Sequence, residues 1–106
     1  MTIDVLGTEY TIKKSNSVED VTLEDNDGYC DNTTKTIVIN TFREYPDSVE
    51  DLDAYEKKVM RHELIHAFLS ESGLSCCSWA AKEEIVDWIA IQFPKMLEAF
   101  QKTNSI

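Results

Sequence analysis

The first forty residues of the chain alternate between apolar and polar positions in short segments, a pattern typical of β-strands with one buried face. Two such segments, Thr2–Leu6 and Glu9–Lys13, lie on either side of Gly7-Thr8 and predict a hairpin. A second hairpin is predicted from Asp27–Asp31 and Lys35–Asn40, because the residues between them favour a turn. We therefore predict four strands in this part of the chain.

After Pro46 the apolar spacing changes to steps of three and four, which indicates a helix. The segment Ser48–Asp51 has the form of a capping box, with Asp47 as a competing cap, and Gly73 is the expected terminator. The helical stripe consists of Leu52, Tyr55, Val59, His62, His66, Leu69 and Gly73. Its segment Leu64–Leu69 is apolar nearly all round, so we expect this half of the helix to form the buried centre of the domain.

A second helix is predicted to begin near Ser78, with Pro94 either kinking it or ending it. Its apolar face carries Val86, Ile89, Ala90, Phe93, Leu97 and Phe100. Trp79 and Trp88 are interpreted as packing residues of the core and its rim, and Arg61 of the first helix as a solvated side chain. The expected fold class is α+β, in which a small antiparallel sheet packs on the long first helix and on the second, C-terminal helix.

Composition narrows the class of partner. The 106 residues, which we assign to one domain spanning 1–106, carry 10 basic and 20 acidic side chains and a net charge of −10. Because affinity for nucleic acid depends largely on cationic groups that neutralise phosphate, we expect no nucleic-acid partner for this chain alone. No apolar run is long enough to span a membrane and no signal peptide is visible, so we expect a cytoplasmic protein with no membrane partner. The cysteines, Cys30, Cys76 and Cys77, are typical of reduced thiols rather than of a disulfide framework.

The segment His62-Glu63-Leu64-Ile65-His66 is the strongest chemical signal in the chain and contains its only two histidines. Histidines four positions apart project from one helix face about 40° apart, so both imidazoles can reach one metal ion. Glu63 lies beside that point, where it can accept a proton from a water that the metal activates. A single metal would also give two imidazoles on a buried stripe the polar partner that they require. We therefore predict a zinc site with His62 and His66 as ligands and Glu63 as general base.

A catalytic zinc needs a third protein ligand and one open position. The chain has no third histidine, and Glu71 lies about half a turn round the helix from the other two. On the second helix, Glu83 lies roughly 80° from the centre of the apolar face and borders the core, whereas Glu84 points to solvent. Asp87 is the reserve ligand or a hydrogen-bond partner of a histidine ring. Cys76 and Cys77 are weaker alternatives, because a thiolate would make the site more structural and less catalytic.

Three parts of the chain together resemble the ImmA/IrrE-type zinc metallopeptidases over about residues 27 to 94. They are the second predicted hairpin, the helix with His-Glu-Leu-Ile-His-Ala, and the start of the second helix. The family's second helix carries Glu-x-x-Ala-x-x-Phe-Ala, and those places are filled here by Glu83, Val86, Ile89 and Ala90. The resemblance implies that zinc is the cofactor and that Glu83 is the third ligand. It also implies a phage or bacterial origin, because many relatives belong to phages or mobile elements and cleave a repressor partner.

We accordingly expect a zinc-dependent metallopeptidase whose substrate is a protein or peptide. The alternative is a catalytically idle, metal-stabilised module that binds a protein partner through an acidic surface, since residues 15–34 contain six acids and no base. The presence of Glu63 favours the enzyme, because a structural zinc needs no general base. The strand Thr36–Asn40 precedes the motif helix, and we expect an extended peptide to pair with its edge beside the metal.

Overall fold

The computed structural model describes residues 1–42 and 51–106, which form a four-stranded sheet and two long helices. The strands are β1 (Thr2–Val5), β2 (Thr8–Ser15), β3 (Gly28–Asp31) and β4 (Thr36–Asn40), and the helices are α1 (Leu52–Glu71) and α2 (Glu83–Lys102). A short 3-10 turn, Val21–Glu24, lies between β2 and β3. The α+β fold class predicted from the sequence is confirmed.

Both predicted hairpins are present, and each is fixed by its turn. β1 pairs antiparallel with β2, and β3 pairs antiparallel with β4. Leu6 and Gly7 both have positive φ, 51° and 91°, as a two-residue turn between twisted strands requires. In the second hairpin the carboxylate of Asp31 accepts hydrogen bonds from the backbone N–H groups of Thr33 and Thr34.

One pairing departs from the antiparallel sheet that the sequence predicts. β2 and β4 run parallel, which gives the strand order β1-β2-β4-β3. The cause is burial on both faces of β4, where Ile37, Val38 and Ile39 are each 0% exposed. A continuous apolar run of this kind suits an interior strand. Among the described strands, β3 therefore has a neighbour on one side only and forms an edge of the sheet.

The contact between α1 and the sheet depends on Gly28 of β3. Val59 and Ala67 of α1 are 5% and 0% exposed and join one core cluster with residues of β1, β2 and β4. A Cβ atom at Gly28 would lie 2.9 Å from the carbonyl oxygen of Val38 and 3.2 Å from a methyl carbon of Val59. Only glycine allows β3 and α1 to approach so closely, and this approach brings the motif helix against the edge strand.

Both ends of α1 are capped by local hydrogen bonds. The carboxylate of Asp51 accepts a hydrogen bond from a backbone N–H of the first turn, whereas the predicted caps Ser48 and Asp47 lie outside the described residues. At the other end Gly73 has a φ of 76°, and its N–H donates to the carbonyl three residues earlier at 3.1 Å. The predicted terminator is therefore confirmed, and it ends α1 just beyond the motif.

α2 begins at Glu83, later than the start near Ser78 that the sequence predicts. The intervening residues form turns, in which the carbonyl of Cys77 accepts the N–H groups three and four positions later. Pro94 neither ends α2 nor splits it, since the helix continues to Lys102. Glu83 is consequently the first helical residue, where a negative charge is stabilised by the helix dipole.

Burial around the helices is less complete than the sequence predicts. α1 packs against both the sheet and α2, whereas α2 packs mainly against α1. Within Leu64–Leu69 only Ala67 is fully buried, and Phe68 is 43% exposed. Trp79 and Trp88 are 48% and 52% exposed, so neither is a core residue. In the described part of the chain, neither helix has the length and apolarity needed to cross a membrane.

Candidate metal centre

His62 and His66 lie one turn apart on α1, and their imidazole rings meet edge to face. The ring centroids are 4.9 Å apart and the two Nε2 atoms are 3.2 Å apart. The side chains are only 16% and 23% exposed. Burial lowers the pKa of His66, which favours the neutral imidazole that binds metals. The spacing of the motif thus brings two metal-competent nitrogens to one point.

The first residue of α2, Glu83, brings its carboxylate to both rings. Its Oε2 lies 2.7 Å from Nε2 of His62, and its Oε1 lies 3.0 Å from Nε2 of His66. The ligand atoms of these three side chains all lie within 4.8 Å of one another, although Glu83 itself remains 71% exposed. Glu84 is exposed and forms no hydrogen bond or ion pair within the described ranges. Three side chains therefore surround a point that one metal ion could occupy.

Each ring nitrogen of His62 faces a carboxylate of α2. Nδ1 lies 3.1 Å from Oδ1 of Asp87, and that carboxylate also accepts from Nζ of Lys58 at 3.3 Å. Burial raises the pKa of Asp87, but these two hydrogen bonds outweigh it and lower the pKa below its usual range. Nε2 of the same ring lies 2.7 Å from Oε2 of Glu83, so both ring nitrogens face carboxylates. A metal ion bound at Nε2 would leave the ring proton on Nδ1, where Asp87 accepts it.

Glu63 is buried beside this cluster without a partner for one of its oxygens. The residue is 5% exposed, and within the described residues its Oε2 has no hydrogen bond. Burial raises the pKa of Glu63 to about 7, with His62 acting against the rise and Glu83 adding to it. A buried carboxylate left unpaired destabilises the fold, so a residue of this kind is a candidate for chemistry rather than for packing.

A cavity of about 470 Å³ contains the cluster and extends to the edge strand. β3 contributes Gly28 and Cys30 to its lining, and the segment before β3 contributes Asp25 and Asp27. Lys58 is the one basic residue among the described lining residues, and it is paired with a carboxylate of α2. The cavity therefore borders β3, and its lining carries more acidic than basic side chains.

Cys76 and Cys77, which the sequence offered as weaker ligands, are not part of the convergent group of the described residues. Cys30 lines the same cavity but does not belong to that group either. Burial raises the pKa of the Cys30 thiol to about 11, and the nearby carboxylate of Glu63 adds to the rise. Cys76 is exposed and Cys77 is partly buried, and neither belongs to the set of metal-competent side chains in the described residues.

Two expectations about the surroundings of the site are wrong. The strand Thr36–Asn40 is β4, which is paired on both edges and cannot accept a peptide; β3 is the edge strand at the cavity. Arg61 is not a solvated side chain, because its Nε donates a hydrogen bond to the carbonyl of Ala90 at 2.6 Å. The sequence carried a signal for this bond: Pro94 lacks the N–H that the Ala90 carbonyl would otherwise accept.

Comparison with protein-family models, with curated proteins and with solved structures finds no match to this chain. The function of the chain is therefore inferred from the geometry of the site.

Proposed function

We propose that this chain is a zinc-dependent metallopeptidase. The observation that carries the proposal is the convergence of His62, His66 and Glu83 on one point beside the buried, unpartnered carboxylate of Glu63. Two imidazoles and a carboxylate form a common ligand set of catalytic zinc, in which three protein ligands leave one position open. A bound zinc ion supplies Lewis acidity, which polarises a carbonyl group and lowers the pKa of water.

Each residue of the site then has a separate role in the proposed reaction. His62, His66 and Glu83 hold the metal, and Asp87 keeps the proton of His62 on Nδ1 so that Nε2 stays available. Glu63 accepts a proton from the attacking water and returns it to the amine that leaves when the peptide bond breaks. Its pKa of about 7 suits both transfers, since neither the protonated nor the ionised form is strongly favoured near neutral pH.

The shape and charge of the cavity support a peptide as substrate. Among the described strands β3 pairs only with β4, so its other edge would offer backbone N–H and C=O groups to an extended chain, as in other cases of strand addition. Asp25 and Asp27 lie along the same cavity, so a peptide with lysine or arginine near the cleaved bond should bind better than one with glutamate. Because the chain has a net charge of −10, we propose a basic protein segment as the substrate. The three free cysteines suit a reducing compartment, so we propose the cytoplasm as the location.

The test uses zinc-loaded protein and fluorogenic peptides that carry either lysine or glutamate beside the scissile bond. Glu63→Gln keeps the size of the side chain and removes the proton acceptor. It should retain one equivalent of zinc and slow cleavage by about a hundredfold to ten-thousandfold. Glu84→Gln removes the same charge from an exposed site and should cleave like the parent chain. A Glu63→Gln variant that cleaves as fast as the parent would contradict the proposed mechanism.

The acidic surface favours one second candidate. Asp25 and Asp27 are exposed, as are most acids of the segment before β3, and could bind a basic partner without any cleavage. In that case the metal would only tie α2 to α1. A parent chain that binds zinc, holds lysine-containing peptides and never cleaves them would support this module over the enzyme.

A further inference from the structure

Outside the metal cluster, the shortest polar contact between the two helices in the described residues joins Arg61 of α1 to the backbone of α2. Its Nε donates to the carbonyl oxygen of Ala90 at 2.6 Å. In an uninterrupted helix this carbonyl would accept the N–H of residue 94, but residue 94 is Pro94. Ala90 is 0% exposed, so its carbonyl lies in a part of the helix from which water is largely excluded. Arg61 therefore satisfies a buried acceptor that the sequence of α2 leaves free.

On both helices, the residues of this contact lie close to the proposed metal ligands. Arg61 directly precedes His62, and Ala90 follows Asp87 and Glu83 on α2 at steps of three and four, so all three α2 residues share one face. A helix rises about 1.5 Å per residue, so a slide of α2 by a single residue would move both carboxylates by that distance. Metal–ligand distances tolerate only about 0.2 Å, and the position of α2 along its axis must therefore be fixed.

We propose that Arg61 is a positioning residue, which fixes the axial register of α2 through the carbonyl that Pro94 leaves free and so holds Glu83 against both histidines. The inference rests on the proposed metal site. Without the Arg61 donor, the Ala90 carbonyl is buried and unpaired unless α2 shifts to expose it to water. Such a shift carries Glu83 away from His62 and His66.

Four substitutions, one of them a control, separate this role from charge and packing. Arg61→Gln keeps an N–H donor at the chain position of Nε but removes the charge, whereas Arg61→Met keeps the length and removes the donor. Pro94→Ala restores the backbone N–H that the Ala90 carbonyl lacks. Lys57→Met is the matched control for charge, because Lys57 is an exposed base on α1 whose side chain is 69% exposed.

The readouts are the Kd for zinc, measured by competition with a chelator, and the absorption spectrum of the Co²⁺-substituted chain, which reports the ligand geometry. Arg61→Met should weaken zinc binding by about tenfold to a hundredfold, as other groups that orient metal ligands do, and should change the Co²⁺ spectrum. Arg61→Gln and Lys57→Met should stay within about twofold of the parent, the range of sites that do not interact. Adding Pro94→Ala to Arg61→Met should restore most of the lost affinity, because the carbonyl again has a partner.

The outcomes separate this inference from the proposed function. Arg61→Met within about twofold of the parent, or no recovery on adding Pro94→Ala, would overturn the positioning role while leaving the metal site intact. A loss in Arg61→Gln equal to that in Arg61→Met would assign the effect to charge and would also overturn it. A parent that binds neither zinc nor Co²⁺ would overturn the metal site and the positioning role together. A parent that binds zinc and cleaves nothing would contradict only the peptidase activity.

Discussion

The two sides of α1 are held by different kinds of interaction. Towards the sheet, Val59 and Ala67 join a cluster of apolar side chains that are 0% to 7% exposed. Towards α2, polar contacts accompany the buried Val86 and Ala90: both histidines meet Glu83, Lys58 and His62 meet Asp87, and Arg61 meets a backbone carbonyl. The stabilisation from burial depends on the apolar area removed from water and little on direction, whereas each polar contact needs one particular partner. The sheet side therefore contributes mainly apolar burial, and the α2 side adds polar contacts in a defined arrangement.

The same difference explains why the α2 side concentrates the features that stability alone would not select. Glu63 is buried without a partner for Oε2, and Glu83 is held against both histidines. A buried carboxylate without a partner raises the free energy of the fold, and the proposed reaction would give it a proton to accept. Local conflicts of this kind are expected at functional sites.

The largest effect on stability is expected on the sheet side. Ile39→Ala should lower the free energy of unfolding by about 2–5 kcal/mol, because Ile39 is 0% exposed and the cavity left behind cannot fill with water. Urea unfolding of zinc-free protein measures the change. Val18→Ala, at a residue that is 94% exposed, should change it by less than about 0.5 kcal/mol. The folded Ile39→Ala variant should still bind one zinc. Loss of zinc binding at low temperature, where the variant is folded, would show that the metal cluster depends on packing against the sheet.

The next largest effect is expected on the α2 side, where a substitution should lower the affinity for zinc rather than the stability of the fold. Glu83→Ala should weaken zinc binding by about a hundredfold, since structural zinc sites gain about 10–16 kcal/mol from four ligands together. Glu84→Ala is the matched control, because the neighbouring carboxylate is exposed and contacts neither histidine. Chelator competition gives both values of Kd. Equal losses in the two variants would mean that the carboxylate acts through general charge and not as a ligand.

The local elements of the fold follow from the sequence, and the pairings between distant parts do not. Hairpins and the Gly73 terminator depend on turn residues that are neighbours in the chain, so they can be predicted. The parallel pairing of β2 with β4 depends on which strand is buried on both faces, and the run Ile37–Ile39 indicated this only in retrospect. The sequence consequently predicts Thr36–Asn40 as the edge strand at the cavity, whereas in the structure this strand is β3.

The candidate site follows from the sequence to a similar extent. Residues four apart on one helix meet by geometry, so the approach of His62 and His66 is a property of the motif. Predicting that Glu83 lies near the histidines depends on the helical phase of α2. The contacts of Glu83 agree with this phase, even though α2 begins later than predicted. Arg61 could not be assigned from its own surroundings, because its partner is a backbone carbonyl on another helix.

The smallest effect concerns a polar contact on the sheet side, at the end of α1 away from the metal cluster. Glu71 accepts hydrogen bonds from the hydroxyl of Tyr10 and from Lys35, each at 2.8 Å. The bond from Lys35, reinforced by that from Tyr10, lowers the pKa of Glu71 from 4.5 to about 2. A carboxyl group whose pKa is lowered on folding stabilises the folded state above its unfolded pKa and loses that contribution as the pH falls through its folded pKa. Parent protein should therefore be more stable than Glu71→Gln at pH 7, and the difference should shrink between about pH 4.5 and pH 2.

Urea unfolding at several pH values, with and without zinc, measures how much this contact stabilises the fold and whether zinc changes that contribution. Lys35→Met removes the main cause of the lowered pKa, so it should reduce the same acid-range dependence while leaving the histidines untouched. Because Glu71 contacts Tyr10 and Lys35 and not the metal cluster, zinc should not change the difference between parent and Glu71→Gln. A difference that stays constant down to pH 2 would show that the ion pair contributes nothing to stability. A difference that zinc alters would instead show that the sheet side and the metal side of α1 are energetically coupled.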